Sequence, residues 1–217
     1  MKRLFIIVEG QSERDFIEEL VAPYLFKHEI YAVTPVLIRT SKQGRGGFVN
    51  YQHLKNDVKR LLLQQDADIV VSMLVDFFRC PELPDSLKYD NIRDHIKRVE
   101  VMEQCIAEDI SDRRFIPYIQ LHEFEALLYA SNVGFEMYFS DEQAMLTGQI
   151  VCEYDNPEAI NSSPENAPSK RLLRINNQYN KVIEGNLIAL EVGLPAMLKR
   201  CPRFSQWIES LIKACMA

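Results

Sequence analysis

Four acidic residues stand directly after apolar runs. Glu9 follows Leu4-Phe5-Ile6-Ile7-Val8, Asp76 follows Ile69-Val70-Val71-Ser72-Met73-Leu74-Val75, and Glu123 and Glu125 follow the run from Phe115 to Leu121. If these runs are parallel strands, their carboxyl ends share one edge of a sheet, where open α/β sheets build their sites. Carboxylates gathered there repel one another unless a cation joins them. Hard oxygen ligands suit Mg²⁺ or Mn²⁺, which keep waters and bridge to phosphate oxygens. Glu9, Asp76, Glu123 and Glu125 are thus candidate metal ligands. The competing reading is that each acid caps the helix after it. That reading weakens when three strand ends carry acids together.

Two groups of cations are placed to meet phosphate. Arg39, Lys42 and Arg45 lie in or beside the glycine-bearing segment that follows the second apolar run. Lys170 and Arg171 follow a proline-bearing loop at an expected helix start, with Arg174 one turn later. Lys42, Arg45, Lys170 and Arg171 are the candidate phosphate-binding residues; the alternative for each group is ordinary solvated surface. His122 either positions a metal-bound water or hydrogen-bonds the strand end. Four histidines without an HxxxH pair give no zinc site. Phe204 and Trp207 stand at helical spacing and suit a core better than a base-stacking platform.

The elements that must position these residues alternate along the first half. Leu4–Val8 is rich in β-branched residues, as a strand buried on both faces should be. Ser12 is the expected N-cap of a helix over 12–26, with Glu13 and Asp15 in its first turn, where the helix dipole favours acids. A strand over 32–39, a helix near 50–65, a strand ending at Asp76, a helix near 91–110 and a strand from Phe115 follow. This order predicts an α/β fold: a mainly parallel, four-stranded, Rossmann-like sheet with helices on both faces. Beyond residue 131 the apolar runs shorten, and helices are expected near 169–181 and 203–215. Residues 1–131 therefore read as the α/β core and 132–217 as a mostly helical extension packed on it.

The formal net charge of -6 conceals an asymmetry. Residues 168–217 hold eight basic side chains against three acidic ones, so the acid excess lies in the preceding part. No Lys or Arg occurs between Arg114 and Lys170, a stretch with nine carboxylates. The balance excludes a uniformly basic nucleic-acid coat protein and a disordered solvating chain. Five scattered cysteines, without a CxxC pair, suit neither a zinc site nor a disulfide framework. With no secretory h-region and no apolar stretch near the ~20 residues of a membrane span, the expectation is a cytoplasmic protein with reduced thiols and no membrane partner.

Val8-Glu9-Gly10-Gln11-Ser12-Glu13, followed by a strand ending in Val75-Asp76, resembles the Toprim domain of topoisomerases, primases and OLD-type or RloB-like nucleases. In that domain a glutamate after the first strand and a DxD motif after the third bind Mg²⁺. Three further stretches run from Pro117 to Leu128, from Ala167 to Leu172 and from Cys201 to Phe204. With them the chain is similar over nearly its whole length to a family of small bacterial Toprim-like proteins. That family is built on a domain of unknown function and is often encoded beside AAA-type or SMC-like ATPases. The resemblance implies a Mg²⁺-dependent nuclease with Glu9, Asp76 and Glu123 as catalytic residues, Glu9 as general acid/base or ligand. It also implies an ATPase partner and an effector role in phage defence.

One departure matters. The DxD position reads Asp76-Phe77-Phe78, so the second aspartate is missing. Either Glu123 or Glu125 supplies the missing ligand, or the site binds one metal weakly, or catalysis is lost; two-metal hydrolysis needs ions about 3.5–4 Å apart. The alternative is a non-catalytic Toprim-like module whose acidic edge docks an ATPase. A phosphoacceptor receiver domain wants paired acids after the first strand and a later lysine, and Glu9-Gly10-Gln11-Ser12 lacks the GxGxxG of a dinucleotide site. DNA or RNA as substrate, and oligomeric state, stay open.

Overall fold

In the computed structural model, which describes residues 2–39, 47–64, 68–160 and 164–217, the apolar runs become parallel strands. They are β1 (Arg3–Val8), β2 (Ala32–Leu37), β3 (Ile69–Asp76), β4 (Phe115–Ile116) and β5 (Ile119–Gln120). β1 lies between β2 and β3, while β4 and β5 both pair the far side of β3. The pairings among these five strands are parallel. β3 is buried along its whole length, as the centre of a doubly covered sheet requires. The run expected as one strand from Phe115 to Leu121 is divided in two. Pro117 has no N–H to give a ladder, so β4 and β5 share one strand position. β2 is an edge strand and carries Pro35, an edge being where a sheet tolerates proline.

The helices are α1 (Gln11–Phe16), α2 (Ala22–Phe26), α3 (Tyr51–Leu62), α4 (His95–Ile110), α5 (Val133–Tyr138), α6 (Asp141–Glu153), α7 (Pro168–Ile175), α8 (Asn186–Val192), α9 (Leu194–Arg200) and α10 (Pro202–Met216). The helix expected over 12–26 is α1 and α2 joined by a π turn, Ile17–Val21. Pro23 follows that turn, and a proline clashes with the carbonyl four residues earlier. Gly10, not Ser12, holds the N-cap position, in extended backbone at φ -142°; Ser12 is buried inside the first turn. Asn50 caps α3 and Asp94 caps α4, each accepting a backbone N–H. Ser140 and Gln143 form a reciprocal capping box on α6. The helix expected over 169–181 stops at Ile175, and a second π turn, Lys181–Gly185, precedes α8.

Alternation along the strands feeds two cores. Leu4, Ile6 and Val8 of β1 and Val70 and Leu74 of β3 face one core with α1, α2 and the later helices. Ile7, Val71, Met73 and Val75 face the other, with α3 and α4. Phe204, Ile208 and Leu211 of α10 belong to the first core, so α10, beyond residue 131, packs on the sheet at β3. Burial on this scale contributes about 1.5–3 kcal/mol per large side chain. Trp207 donates Nε1–H to Ser72 Oγ at 2.9 Å, and Ser72 donates to Ile116 O at 2.6 Å. Phe204 and Trp207 are core residues, as their spacing implied.

Arg203 and Glu158 tie that junction. Arg203 reaches Glu103 at 2.7 Å and Ile119 O at 3.0 Å. Glu158 accepts the N–H groups of Arg203 and Phe204 at 2.9 and 3.2 Å, satisfying the free first turn of α10. All five cysteines are free thiols. Among the described residues, no helix is long and apolar enough to cross a membrane.

Candidate functional site

The carboxyl ends of β1, β3 and β5 deliver acids to one place. Glu9 follows β1, and the first turn of α1 returns Glu13 beside it. Asp76 ends β3. After β5 a 3-10 segment, Phe124–Ala130, carries Glu125. Asp76 Oδ1 accepts the N–H of Phe124 at 2.9 Å, clamping this segment to the end of β3. The Asp76 N–H points to Glu9 Oε2 at 3.5 Å. Gly10 leaves room for the fold-back of Glu13: a Cβ there would lie 2.9 Å from Glu13 Oε2.

A lysine closes the cluster. Lys181 Nζ lies 2.9 Å from Glu13 Oε1, 3.4 Å from Asp76 Oδ2 and 3.4 Å from Glu125 Oε2. It also stands 5.8 Å from the centre of the Phe124 ring, within cation–π range. Lys181 opens the second π turn. Asn180 caps that turn, accepting the N–H groups of Val182 and Ile183 at 3.0 and 3.2 Å, while Glu184 accepts the Asn180 N–H at 2.7 Å. Gly185 lets the turn approach the Tyr179 hydroxyl, which a Cβ would meet at 2.8 Å.

Burial is the main force on these groups. It pushes the Glu9 carboxyl above its ordinary value, against backbone N–H groups of Phe48 and Asp76 that favour the anion. Burial raises Asp76 well above the usual range; Lys181 opposes this, while Glu13, Glu125 and Glu9 add to it. Glu125 is raised by burial and held back by Lys181. Burial alone would lower Lys181, but Asp76, Glu125 and Glu13 hold its ammonium well above the ordinary lysine value. Three carboxylates thus share the Lys181 ammonium, and Glu9 feels its charge more weakly.

This donor set fits a hard divalent cation. It consists of carboxylate oxygens alone, and both oxygens of Glu125 are buried without a hydrogen-bond partner. The side chains are nevertheless arranged around Lys181. Among the described residues, no group of three or more His, Cys, Asp or Glu side chains is set as ligands around an ion. Glu9, Asp76, Glu13 and Glu125 are the residues that would hold one, with the ammonium yielding its place. Lys181 keeps a side-chain exposure of 35%, so it has a route outward.

The sequence candidates fall in different places. Glu9, Asp76 and Glu125 come together. Glu123 is the neighbour of Glu125 but turns to the start of α7, where its Oε2 accepts the Ser169 N–H at 3.0 Å. Lys42 and Arg45 lie outside the described residues. Lys170 is exposed on α7. The Arg171 guanidinium is occupied by Asn166 O at 2.9 Å, Ile160 O at 3.1 Å and Tyr154 Oη at 3.3 Å. His122 is buried at a positive φ of 64°, and its carbonyl accepts the Phe78 N–H at 2.8 Å. Burial, then the nearby charge of His95, lowers its imidazole to about 4, leaving it neutral at physiological pH. Phe78, at the second DxD position, therefore extends the pairing of β3 towards the fourth strand position.

Glu13 and Lys181 are the members that sequence reasoning passed over. Glu13 has a local signal, since Glu9 and Glu13 are four residues apart across a strand-to-helix turn. Lys181 has none, because it arrives from 105 residues beyond Asp76.

The profile of the family described as Domain of unknown function (DUF4276) matches residues 8–212. No protein of curated function matches in sequence. Among solved structures, the chain is similar to the C-terminal region of the Burkholderia pseudomallei OLD protein, at 17% identity and a TM-score of 0.49, over 100% of both chains. It is similar to the C-terminal region of the Xanthomonas campestris pv. campestris OLD protein at 19% identity and a TM-score of 0.46. That match covers 99% of this chain and 92% of the other.

Proposed function

The chain belongs to the family described as Domain of unknown function (DUF4276), and from that premise we propose that it is a Toprim-like nuclease, a Mg²⁺- or Mn²⁺-dependent phosphodiesterase acting on nucleic acid. The observation that carries this reading is the convergence of Glu9, Glu13, Asp76 and Glu125 at the carboxyl edge of a parallel sheet, with Lys181 bridging the last three. A bound divalent ion would supply Lewis-acid stabilisation of the phosphate and a more acidic water. Asp76, Glu125 and Glu13 are the residues that would hold such an ion. Glu9, only partly buried, takes the proton of the attacking water. Lys181, displaced towards the mouth, meets a phosphate oxygen. The sequence resemblance alone supports an ATPase partner and an effector role in phage defence.

A second reading is a non-catalytic, metal-free module whose acidic edge docks an ATPase. It is favoured by the ammonium already seated among the carboxylates and by Phe78 in place of an acid. Melting the protein across a Mn²⁺ titration separates the two, since an ion that binds only the native state raises stability. The nuclease reading expects a rise that Asp76→Ala removes, together with Mn²⁺-dependent cleavage of DNA or RNA. A melting temperature indifferent to Mn²⁺ and Mg²⁺, with no cleavage, would overturn it.

A further inference from the structure

We propose that Arg14 and Arg39 form a phosphodiester-binding cleft that holds the nucleic-acid strand beside the acidic cluster, an inference that rests on the nuclease reading. The cleft, about 260 Å³, is lined by Arg14, Pro35, Val36, Leu37 and Arg39, between α1 and the edge strand β2. Both arginines are tied to the residues of the cluster. Arg14 is the residue after Glu13, and its N–H closes the first turn of α1 on Gly10 O at 3.1 Å. Arg39 follows Ile38, whose N–H donates at 3.1 Å to the carbonyl of Val8, the residue before Glu9. The cleft therefore sits at the same edge as the carboxylates, on the side of β2.

Both guanidiniums keep donors in hand. Arg14 gives Nε–H to Glu18 at 3.0 Å, in a half-exposed i,i+4 pair that water and salt weaken. Arg39 is held through its backbone, whose N–H donates to the buried Asp57 Oδ2 at 2.8 Å. Its side chain stands 3.9 Å from Asp57 Oδ1, outside hydrogen-bond range, whereas Arg60 is nearer to the same oxygen at 3.2 Å. A guanidinium with a free fork matches the paired oxygens of a phosphodiester. Pro35, Val36 and Leu37 of the edge strand complete the lining between the two arginines. A polyanion meets a body with an excess of acids, so cations beside the site decide where the strand lies.

The test measures binding of a fluorescent oligothymidylate to the full chain, with Ca²⁺ in place of Mg²⁺, across a salt series. It compares wild type with the double variant Arg14→Gln, Arg39→Gln. Each lost phosphate contact on a single strand lowers the slope of log affinity against log salt by about 0.7, so the variant should lose about 1.4. Its metal-free melting temperature and its Mn²⁺ stabilisation should match wild type. An unchanged slope in the double variant, or no oligonucleotide binding by wild type, overturns the assignment. If inorganic phosphate protects wild type but not the variant, and neither binds oligonucleotide, the cleft is a free-phosphate site and the nucleic-acid assignment fails. If the slope falls as expected while Mn²⁺ neither stabilises the chain nor supports cleavage, the metal-dependent reading fails and the strand-binding cleft stands.

Discussion

Lys181 and Asp76 are 105 residues apart in the chain, yet Lys181 Nζ lies 3.4 Å from Asp76 Oδ2. The same ammonium reaches Glu13 and Glu125. Desolvating several carboxylates costs more than one ammonium recovers unless the geometry is good. Lys181 thus limits the repulsion among these carboxylates; under the nuclease reading it also occupies the place that a divalent ion would contest. Whether the edge works as a metal site turns on the exchange of one cation for the other.

Lys181→Met should therefore destabilise the metal-free chain. Removing one partner of a fully buried ion pair costs about 3–5 kcal/mol. The lysine side chain is about a third exposed, so solvent screening reduces the expected loss to about 1–2 kcal/mol. Under the nuclease reading, Mn²⁺ restores more stability to this variant than to wild type, because the ion no longer competes with the lysine. Melting curves with and without Mn²⁺ check this. Equal Mn²⁺ shifts in both proteins would show that lysine and ion do not share a position.

Glu125→Gln should do the opposite in the absence of metal. Both Glu125 oxygens are buried without a hydrogen bond, and burial raises the carboxyl above its ordinary 4.5. A raised acid holds its proton in the native state after the unfolded chain has released it. Its contribution to stability is favourable at acid pH and declines as pH climbs from about 4.5 through the native value. The neutral amide escapes this decline. The stability of Glu125→Gln relative to wild type should thus grow as pH rises above the ordinary 4.5 and through the raised native value. A gain of about 1 kcal/mol corresponds to about 2–4 °C in melting temperature for a chain of this size. The same substitution should weaken Mn²⁺ stabilisation. A variant less stable than wild type at every pH would contradict this account of the cluster.

The parts of the fold visible in the sequence are those written locally. The β-branched run of β3, ended by Asp76, and the helical spacing of Phe204 and Trp207 announce burial through period and composition. The acids at strand ends are legible because a parallel sheet carries them to one edge regardless of sequence distance. What escaped is tertiary. Nothing near Lys181 distinguishes it from a surface lysine; only the Asn180 cap and the π turn, once folded, aim it at β3. Glu123 and Glu125 differ by two positions and end on different partners, since the backbone turns from extended at Glu123 into a 3-10 segment that carries Glu125. Arg171 looked free for phosphate because two of its acceptors are backbone carbonyls, which no side-chain pattern reveals.

Gly10→Ala should separate positioning from folding. The backbone at Gly10 is extended, at φ -142°, so alanine meets no strain there. Its Cβ would stand 2.9 Å from Glu13 Oε2, so the Glu13 carboxylate must shift, and with it the contact to Lys181. The expected loss of stability is under about 1 kcal/mol, within the ordinary range of surface changes. Mn²⁺ stabilisation should fall more clearly, because a ligand has moved. Mn²⁺ titrations identical in wild type and Gly10→Ala would remove Glu13 from the proposed ligands.

Glu158→Ala supplies the structural contrast. Glu158 is buried and accepts the N–H groups of Arg203 and Phe204, with the Tyr118 hydroxyl at 3.4 Å. Alanine leaves these donors without acceptors in a site that water does not easily reach, at about 1–3 kcal/mol for each group stranded. Some relaxation at the start of α10 reduces the total, so a loss of about 2–4 kcal/mol is expected, or a fall of about 4–16 °C in melting temperature. Burial raises the Glu158 carboxyl, while the Arg203 N–H and guanidinium pull it back. Glu158→Gln keeps an acceptor oxygen and should recover part of the loss. Because Glu158 is not among the carboxylates around Lys181, the Mn²⁺-induced rise in melting temperature should persist in the alanine variant. Loss of that rise in a variant that still melts cooperatively would mean that the α10 junction, and not the strand ends alone, sets the geometry of the acidic edge.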